Sequence, residues 1–383
     1  MKVLIVNRYM GIYGGAETVV RELAVNLKKM GVECLVITLN ISDEVREKCG
    51  KLDIVTPEEK FAYKFRSTGL ISSLGIIREM VALRRMVKKY APGFDLINVH
   101  NFPADWVMAG LRKPVVWMCN EIPDFYNNPR PSLALRLLRS AGIAADRFMV
   151  TRFIDTVCVA DEFNAQKVFQ RYGVPAKIVN YGIEYDFFSR KGGSAEIVKK
   201  YGLEGNFFLL QVGMLSPEKD QLKSVMALDA LKAEMPDIKL VLAGRPQEPY
   251  DGMVRDYAAK KGLERRVIFT GHIQKDEVRS LYQACGIALF PVKTQGGWLS
   301  PFEALSAGKP VITSLTMGAS GIIKREDIGV VSDDLVSAIR EVSNNYAFYQ
   351  AMAERGRKWV KENLTWNLFS TKMLKIFEET VSL

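Results

Sequence analysis

The chain has 383 residues, more than a single hydrophobic core usually supports, so the sequence predicts two domains. Hydrophobic residues make up 48% and charged residues 25%, which excludes a disordered or fibrous protein. The net charge is +10, but no nucleic-acid-binding motif accompanies it, so we expect no nucleic acid partner.

The five cysteines are scattered and show no C-x-x-C spacing, a pattern typical of reduced thiols in a cytoplasmic protein. Nothing approaches the run of about 18 apolar residues that a membrane-spanning helix needs. The apolar residues 3–6 are too few for a signal peptide and lead directly into a glycine turn. We therefore expect a cytoplasmic protein whose first element is a β-strand.

The first 40 residues predict a strand, a helix and a second strand. Strand 3–6 precedes a glycine loop over 11–15, a helix carrying Val20, Leu23 and Leu27, and a strand over 34–38. Gly31 suits the left-handed position that ends a helix. Such a unit predicts a parallel sheet with a right-handed crossover. Residues 96–99, 115–118 and 156–159 are further candidates for buried strands.

Residues 60–90 carry most of the positive charge of the first half. Their charged residues are Lys60, Lys64, Arg66, Arg78, Arg84, Arg85, Lys88 and Lys89 against Glu79. Apolar residues between positions 70 and 86 are spaced to form a helical stripe. Two interpretations stay open, a core-facing helix with a solvated basic face or a basic amphipathic helix in peripheral contact with a membrane.

A more regular series of strands follows residue 185. The predicted strands cover residues 208–212, 240–243, 267–270, 287–290 and 311–313, and each is followed directly by Gly, Pro or Ser. Open α/β sheets place their ligand loops at such strand ends. We therefore predict an N-terminal Rossmann-like domain over 1–184 and a second one over 185–365. A last amphipathic helix covers 366–383.

The segment from Gln295 to Ile312 is a glycine loop that opens a helix between two buried strands. Pro301 suits the first position of that helix. Glu303 would then lie near helix amides, where a carboxylate can accept hydrogen bonds from the vicinal hydroxyls of a ribose. The alternative is a glutamate that only complements the helix dipole.

A second loop, from Gly213 to Gln221, follows the strand over 208–212. A glycine at the strand end lets the backbone approach a ligand, and Lys219 places a cation beside helix amides, which suits a diphosphate. A surface lysine in a turn is the alternative explanation.

Taken in order, these segments resemble the retaining glycosyltransferases of family 4. The resemblance runs from the loop of Gly14 and Gly15 through residues 95–100, 117–123, 180–188, 212–220, 241–244 and 267–271 to the block that starts at Gln295. It implies the GT-B fold, an α/β architecture of two facing Rossmann-like, doubly wound domains with a cleft between them. It also implies that the helix over 366–383 packs back on the first domain.

The resemblance assigns roles to residues of the second domain. Gly213 and Lys219 would hold the diphosphate, and Gly271, His272 and Ile273 would line the base. Glu303 would bind the ribose, and the backbone of Gly296, Gly297, Trp298 and Leu299 would face the donor sugar and phosphate. Gly14 and Gly15 would approach from the acceptor side. The implied reaction moves a sugar from a nucleotide-sugar donor to a glycan, lipid-linked or small-molecule acceptor, with retention of configuration and with neither a metal nor another cofactor.

Three positions depart from the family pattern. Gln295 replaces the first motif glutamate, Met214 replaces an arginine after the loop glycine, and Asn120 takes the place of a first-domain histidine. We assign Gln295, Lys219 and Asn120 to catalysis. Arg245 can supply the missing phosphate cation, although an exposed loop arginine is the alternative.

Three other functions compete with this one. A nicotinamide dehydrogenase needs G-x-G-x-x-G, which the spacing of the first-domain glycines does not match. A metal hydrolase lacks ligands, because the two histidines, His100 and His272, are far apart in sequence. The three departures favour the remaining rival, a non-catalytic GT-B protein that binds a sugar nucleotide or a partner subunit.

Overall fold

The computed structural model describes residues 1–10, 15–61, 70–120, 122, 132–293 and 298–382, without the side chains of residues 70–74 and 135. The chain forms two compact units. Unit 1 comprises Met1–Gly182 and Trp366–Leu383, and unit 2 comprises Ile183–Thr365.

Unit 1 contains a parallel sheet with helices between its strands. The strands are β1 (Lys2–Val6), β2 (Glu33–Ile37), β3 (Asp53–Val55), β4 (Leu96–His100), β5 (Val115–Met118), β6 (Thr156–Val159) and β7 (Ala176–Ile178). The helices are α1 (Gly15–Lys29), α2 (Asp43–Cys49), α3 (Leu70–Tyr90), α4 (Leu133–Phe153) and α5 (Glu162–Tyr172), with 3-10 turns at Ala91–Gly93 and Ala104–Met108. The strand order is β3-β2-β1-β4-β5-β6-β7.

Unit 2 repeats this plan. Its strands are β8 (Phe208–Val212), β9 (Lys239–Ala243), β10 (Val267–Gly271), β11 (Ile287–Phe290), β12 (Val311–Thr313) and β13 (Val330–Val331), in the order β10-β9-β8-β11-β12-β13. Its helices are α6 (Tyr185–Ser189), α7 (Ser194–Lys200), α8 (Gln221–Leu231), α9 (Tyr250–Lys260), α10 (Lys275–Ala284), α11 (Leu299–Ser306), α12 (Ser320–Arg325), α13 (Leu335–Asn344) and α14 (Tyr346–Asn363). All strand pairs in both sheets are parallel.

The central strands are mostly apolar because helices cover both faces of each sheet. Leu4 and Val99 of unit 1 are fully buried, as are Leu209 and Leu289 of unit 2. Trp117 in β5 is also fully buried, and its ring packs edge-on against a tyrosine of α5. The apolar runs at the centre of each sheet are therefore explained by burial on two sides.

The chain ends in α15 (Trp366–Val381), which packs on α1 and β5 of unit 1. Phe369 and Phe377 of this helix are buried, and the Phe369 ring makes an edge contact with Tyr181 at 5.9 Å between centroids. The hydroxyls of Thr156 and Thr380 are hydrogen-bonded at 3.0 Å. The helix is thus an integral part of unit 1.

The basic helix predicted within residues 60–90 is α3. Some apolar residues of its predicted stripe are buried in the core, and others are exposed to solvent. Leu83 and Met86 are buried, whereas Ile77 is 59% exposed and Val81 is 43% exposed. Residues 62–69 lie outside the described part of the chain. The helix therefore faces the core and also leaves apolar side chains on its basic outer face.

Candidate active site

The strand order of unit 2 reverses between β8 and β11, which are neighbours in the sheet but not consecutive in the chain. Ligands of open parallel sheets bind at the carboxyl ends of strands at such a point, because the loops there leave in opposite directions. The loop after β8 begins with Gly213, and the loop after β11 leads to α11. Both segments predicted to bind the donor start here. Gln295, Gly296 and Gly297 of the second segment lie outside the described residues.

Backbone hydrogen bonds join the loops that follow β8, β9 and β10. The Gly213 amide donates to the Ala243 carbonyl at 2.9 Å, and the Gly244 amide donates to the Gly271 carbonyl at 3.0 Å. Gly213 has a φ of +140° and Gly271 a φ of +67°, conformations that favour glycine. The predicted phosphate glycine and the predicted base-lining segment are therefore held side by side, with Gly244 between them.

The side chain of Lys219 lies beside Gly213. Its Cδ and Cε atoms would each be 3.9 Å from a Cβ atom built on Gly213. The Lys219 carbonyl accepts a hydrogen bond from Gln211 Nε2 at 2.7 Å, and Lys219 lines one small cavity together with Gln211 and Ser300 of α11. A half-buried ammonium group beside a glycine backbone and the first turn of a helix can hold a diphosphate.

Lys293, just after β11, links the two loops of this site. Its amide donates to the Glu218 carbonyl at 2.9 Å, and its ammonium group lies 3.0 Å from Asp220 Oδ1. Asp220 is buried and has a φ of +52° immediately before α8. These contacts hold the backbone of Glu218 and Asp220, on both sides of Lys219, and so fix the position of the Lys219 Cα atom.

Glu303 lies in α11, with its side chain half-buried. Desolvation raises the pKa of Glu303 from 4.5 to about 7, and the positive charge of Lys275 opposes the shift. The Lys275 ammonium group pairs with Glu184 and lies 5.0 Å from the Phe187 ring centroid. A carboxyl group near its midpoint at neutral pH can accept hydrogen bonds from ligand hydroxyls when it is ionised.

The start of α11 differs from the prediction. The helix begins at Leu299, so Pro301 is its third residue and not its first. Proline is still accommodated, because first-turn amides have no partner within a helix. Trp298 precedes the helix, is 7% exposed, and packs on Phe302 with 4.7 Å between ring centroids.

The other residues predicted to bind the sugar-nucleotide donor are exposed or half-buried. Arg245 and His272 are exposed, and Ile273 is half-buried. The Arg245 carbonyl accepts a hydrogen bond from the Leu215 amide at 2.9 Å, so the arginine is attached to the loop that carries Lys219. No ion pair of Arg245 is present among the described residues.

In unit 1 the strand order reverses between β1 and β4, and three asparagines follow strands there. Asn120 Nδ2 donates to Asn101 Oδ1 at 2.7 Å, and Asn101 Nδ2 donates to Asn7 Oδ1 at 3.1 Å. The hydroxyl of Tyr181 donates to Asn120 Oδ1. Both polar atoms of the Asn120 amide thus have protein partners, which fixes its orientation.

Asn7, Asn101 and Tyr181 belong to the Asn120 network but are not among the predicted site residues. A signal exists, because each asparagine follows an apolar strand directly or within two residues. Their contact depends on residues 94 positions apart, which no local pattern reveals. Of the acceptor-side glycines, Gly15 is the exposed first residue of α1, and Gly14 lies outside the described residues.

His100 is fully buried, and burial lowers its pKa to about 3. Its Nε2 is 2.8 Å from Asn98 Oδ1. Within the described ranges, no three His, Cys, Asp or Glu side chains are grouped as metal ligands. No described helix is both long enough and apolar enough to cross a bilayer.

Two family models match the chain. The model for Glycosyltransferase Family 4 covers residues 13–186, and the model for Glycosyl transferases group 1 covers residues 194–359. The chain belongs to glycosyltransferase family 4. Together these matches include the sheet of unit 2, every strand of unit 1 except β1, and both loops of the unit 2 site.

Curated relatives are identical to this family 4 chain at about a quarter of the aligned positions. A GDP-mannose-dependent alpha-(1-6)-phosphatidylinositol monomannoside mannosyltransferase of Mycobacterium tuberculosis is 26% identical over 57% of this chain and 60% of its own length. A putative glycosyltransferase, YtcC of Bacillus subtilis, is 23% identical over 76% of this chain and 74% of its own length. The matched part of the chain thus spans about three fifths of the length of the mannosyltransferase.

Solved structures agree with the fold at low sequence identity. Alr3699/HepE of Anabaena in complex with UDP-glucose superposes with a TM-score of 0.79 at 17% identity, covering 99% of this chain and 100% of that one. WaaG, a glycosyltransferase involved in lipopolysaccharide biosynthesis, gives 0.75 at 19% identity, covering 98% and 99%. The predicted fold class is confirmed: the family 4 chain has the two Rossmann-like units of GT-B glycosyltransferases.

Proposed function

We propose that this protein is a glycosyltransferase that moves a sugar from a nucleotide-sugar donor to a glycan, lipid-linked or small-molecule acceptor. The observation that carries the proposal is the position of Gly213 and Lys219 beside the first turn of α11, at the switch point of unit 2. Backbone amides, a helix N-terminus and one cation converge where a diphosphate would lie. The relatives, which include GDP-mannose-dependent mannosyltransferases, support the same reaction class.

Each residue has a proposed role in this reaction. Gly213 and Lys219 hold the diphosphate with help from Arg245, and Glu303 accepts hydrogen bonds from the ribose. The segment that starts at Gly271 lines the base. Gln295 reaches the transferred sugar, and Asn120 contacts the same sugar. The donor is faced by the backbone of Gly296, Gly297, Trp298 and Leu299. The acceptor is faced by Gly14 and Gly15.

Transfer is proposed to proceed without a metal and with retention of configuration. Lys219 and the amides of α11 supply positive field beside a leaving diphosphate, which is the contribution a divalent ion makes in other transferases. The test adds a chelator to a working transfer reaction. Activity that persists supports the proposal, and activity that is lost and then restored by Mg²⁺ or Mn²⁺ contradicts it.

The donor is identified by a panel of sugar nucleotides. One set of relatives uses GDP-mannose, and the HepE structure contains UDP-glucose, so both bases are candidates. We expect one base to raise the thermal midpoint most, because a ligand at 100 times its dissociation constant adds about 2.7 kcal/mol. Release of nucleotide in the presence of acceptor then establishes transfer.

A non-catalytic binding protein is the second candidate. Gln295 and Met214 favour it, because a glutamate and an arginine stand at these positions in the family pattern. A binding protein would take up the sugar nucleotide in the thermal panel but release no nucleotide with any acceptor. Lys219→Met distinguishes the two, since it should weaken binding in both cases and lower turnover only in an enzyme.

We also propose that the protein is cytoplasmic and that residues 60–90 bring unit 1 to a membrane-proximal acceptor. The five cysteines are buried and free, which suits a reducing compartment. Arg85, Lys88 and Lys89 are exposed on α3 next to Val81. Binding to anionic liposomes should weaken when these three basic residues become glutamine, and unchanged binding would contradict this part of the proposal.

A further inference from the structure

The outer face of α4 is apolar although it faces solvent. Leu133 is 74% exposed, Leu137 is 65% exposed and Phe148 is 59% exposed. Together with the exposed Ala141 and Ala144 they follow one another at intervals of three or four residues, which places them on one side of the helix. From Leu133 to Phe148 this stripe is about 22 Å long.

The opposite side of α4 attaches the helix to unit 1. Asp146 is fully buried and accepts hydrogen bonds from Trp106 Nε1 at 3.0 Å and from the Tyr172 hydroxyl at 2.8 Å. Val150, one helical turn further on, is buried in the core. The apolar stripe therefore points away from the unit that holds the helix and is not needed for its core.

The exposed charged side chains of α4 have one sign. The charged residues of α4 are Arg136, Arg139, Asp146, Arg147 and Arg152, and the aspartate is buried. Arg136 and Arg147 are exposed along one edge of the stripe, and Arg152 is exposed at the end of the helix. An apolar stripe bordered by exposed arginines of its own helix is complementary to an anionic bilayer surface, where the arginines meet lipid phosphates and the leucines enter the acyl boundary.

We propose that α4 is an interfacial helix that docks unit 1 on a membrane rich in anionic lipid. The positive charge beside the stripe favours a lipid surface over a second copy of this chain. Two copies of this face would bring arginines against arginines, which opposes self-association through it. The inference goes beyond the transfer reaction and does not depend on it. It is also separate from α3, whose outer face mixes basic and apolar side chains.

Vesicle co-sedimentation tests the proposal on the full chain. The protein should bind vesicles of phosphatidylcholine mixed with phosphatidylglycerol, bind phosphatidylcholine alone much more weakly, and lose binding in high salt. Leu133→Ser with Leu137→Ser should weaken binding about tenfold or more, since each exposed leucine would enter the acyl boundary. Arg136→Gln with Arg147→Gln should also weaken it about tenfold.

Matched controls come from unit 2. Phe348 is as exposed as Phe148, and Arg265 is exposed, yet neither belongs to the stripe. Phe348→Ser and Arg265→Gln should leave vesicle binding unchanged. A Leu137→Cys protein labelled with a polarity-sensitive dye gives a second measurement, which detects binding directly and not through its loss. The label should attach at position 137, because the five native cysteines are buried. Its emission should shift to the blue on adding anionic vesicles, while that of a labelled Phe348→Cys protein should not.

Three results would overturn the proposal. The first is that anionic vesicles neither bind the protein nor shift the dye at position 137. The second is that the leucine pair variant binds as tightly as the unaltered protein. The third is that sedimentation without lipid shows a dimer which the leucine pair variant dissolves, since the stripe would then join two copies of the chain.

Discussion

The carbonyl oxygen of Gly213 occupies the place that a side chain at Gly244 would need. A Cβ atom on Gly244 would be 1.9 Å from that oxygen and 2.5 Å from the Gly213 carbonyl carbon. Both glycines follow adjacent strands, β8 and β9, directly. The loop that carries Lys219 therefore packs directly against the backbone of Gly244. This contact is possible only because residue 244 has no Cβ atom.

Gly244→Ala should displace the Gly213 loop and weaken donor binding. Overpacking of this kind costs about 1–3 kcal/mol, or about one to two orders of magnitude in affinity if the loop bears the loss on binding. Calorimetry with the nucleotide selected by the thermal panel measures it. Gly93→Ala is the control, because a methyl group there meets nothing within 4 Å. Equal affinity for both variants would show that the loop can move without harm.

A second close approach joins α15 to unit 1. A Cβ atom on Gly182 would be 2.4 Å from the Trp366 amide nitrogen and 2.6 Å from its ring atom Cδ2. Gly182→Ala should therefore lift the start of α15 and lower the free energy of unfolding by about 1–3 kcal/mol. Urea denaturation measures the change. Gly75→Ala, in an open helical position of α3, should be neutral or slightly stabilising. An unchanged midpoint for Gly182→Ala would mean that the helix adjusts freely.

The central strands were predictable because burial on both faces leaves a continuous apolar run. All strands predicted from the sequence are present, several of them with the same ends, such as β5, β8 and β11. The strands that were not predicted are β3, β7 and β13, which are short, lie at sheet edges and are only partly buried. An edge strand has one neighbour and one solvated side, so its sequence carries little periodic signal.

The sequence was enough to predict which loops form the candidate site. It was not enough to predict which side chains contact one another there. Gly213, Lys219 and Glu303 could be singled out because glycine, lysine and a helical glutamate follow strands. The pairing of Asn120 with Tyr181 and the proximity of Lys275 to Glu303 depend on how distant segments fold together. The start of α11 lies two residues before the predicted one, because Pro301 suits the first helical position but is the third residue of the helix.

Gln295 and Glu303 should respond differently to removal of their side chains. Loss of a charged hydrogen-bond partner costs about 1.5–3 kcal/mol, so Glu303→Ala should weaken free-nucleotide binding by about one to two orders of magnitude. Gln295→Ala should leave that affinity nearly intact and lower turnover, because the amide is proposed to orient the transferred sugar. Calorimetry beside steady-state transfer separates the two. A proportional loss of affinity and rate in both variants would refute this division of roles.

The raised pKa of Glu303 predicts opposite pH dependences for stability and for donor binding. Its folded-state pKa is about 7 against an ordinary 4.5, because burial disfavours the carboxylate. Between these values the folded chain binds more protons at this site than the unfolded chain does. The contribution of Glu303 to the free energy of unfolding therefore falls as the pH rises from about 4.5 to about 7, and is constant above that.

Donor binding should strengthen over the upper part of that range, because ribose hydroxyls donate to the ionised carboxylate. A sugar nucleotide is the right ligand, since its diphosphate diester does not titrate near neutrality, whereas a free nucleotide does. Glu303→Gln removes the titrating group, so its affinity should be lower and flat with pH, and its stability should gain relative to the unaltered protein between pH 4.5 and 7. Lys275→Met removes the cation that opposes the shift, so the rise in affinity should move to higher pH. Parallel pH profiles for the unaltered protein and Glu303→Gln would show that another group controls binding.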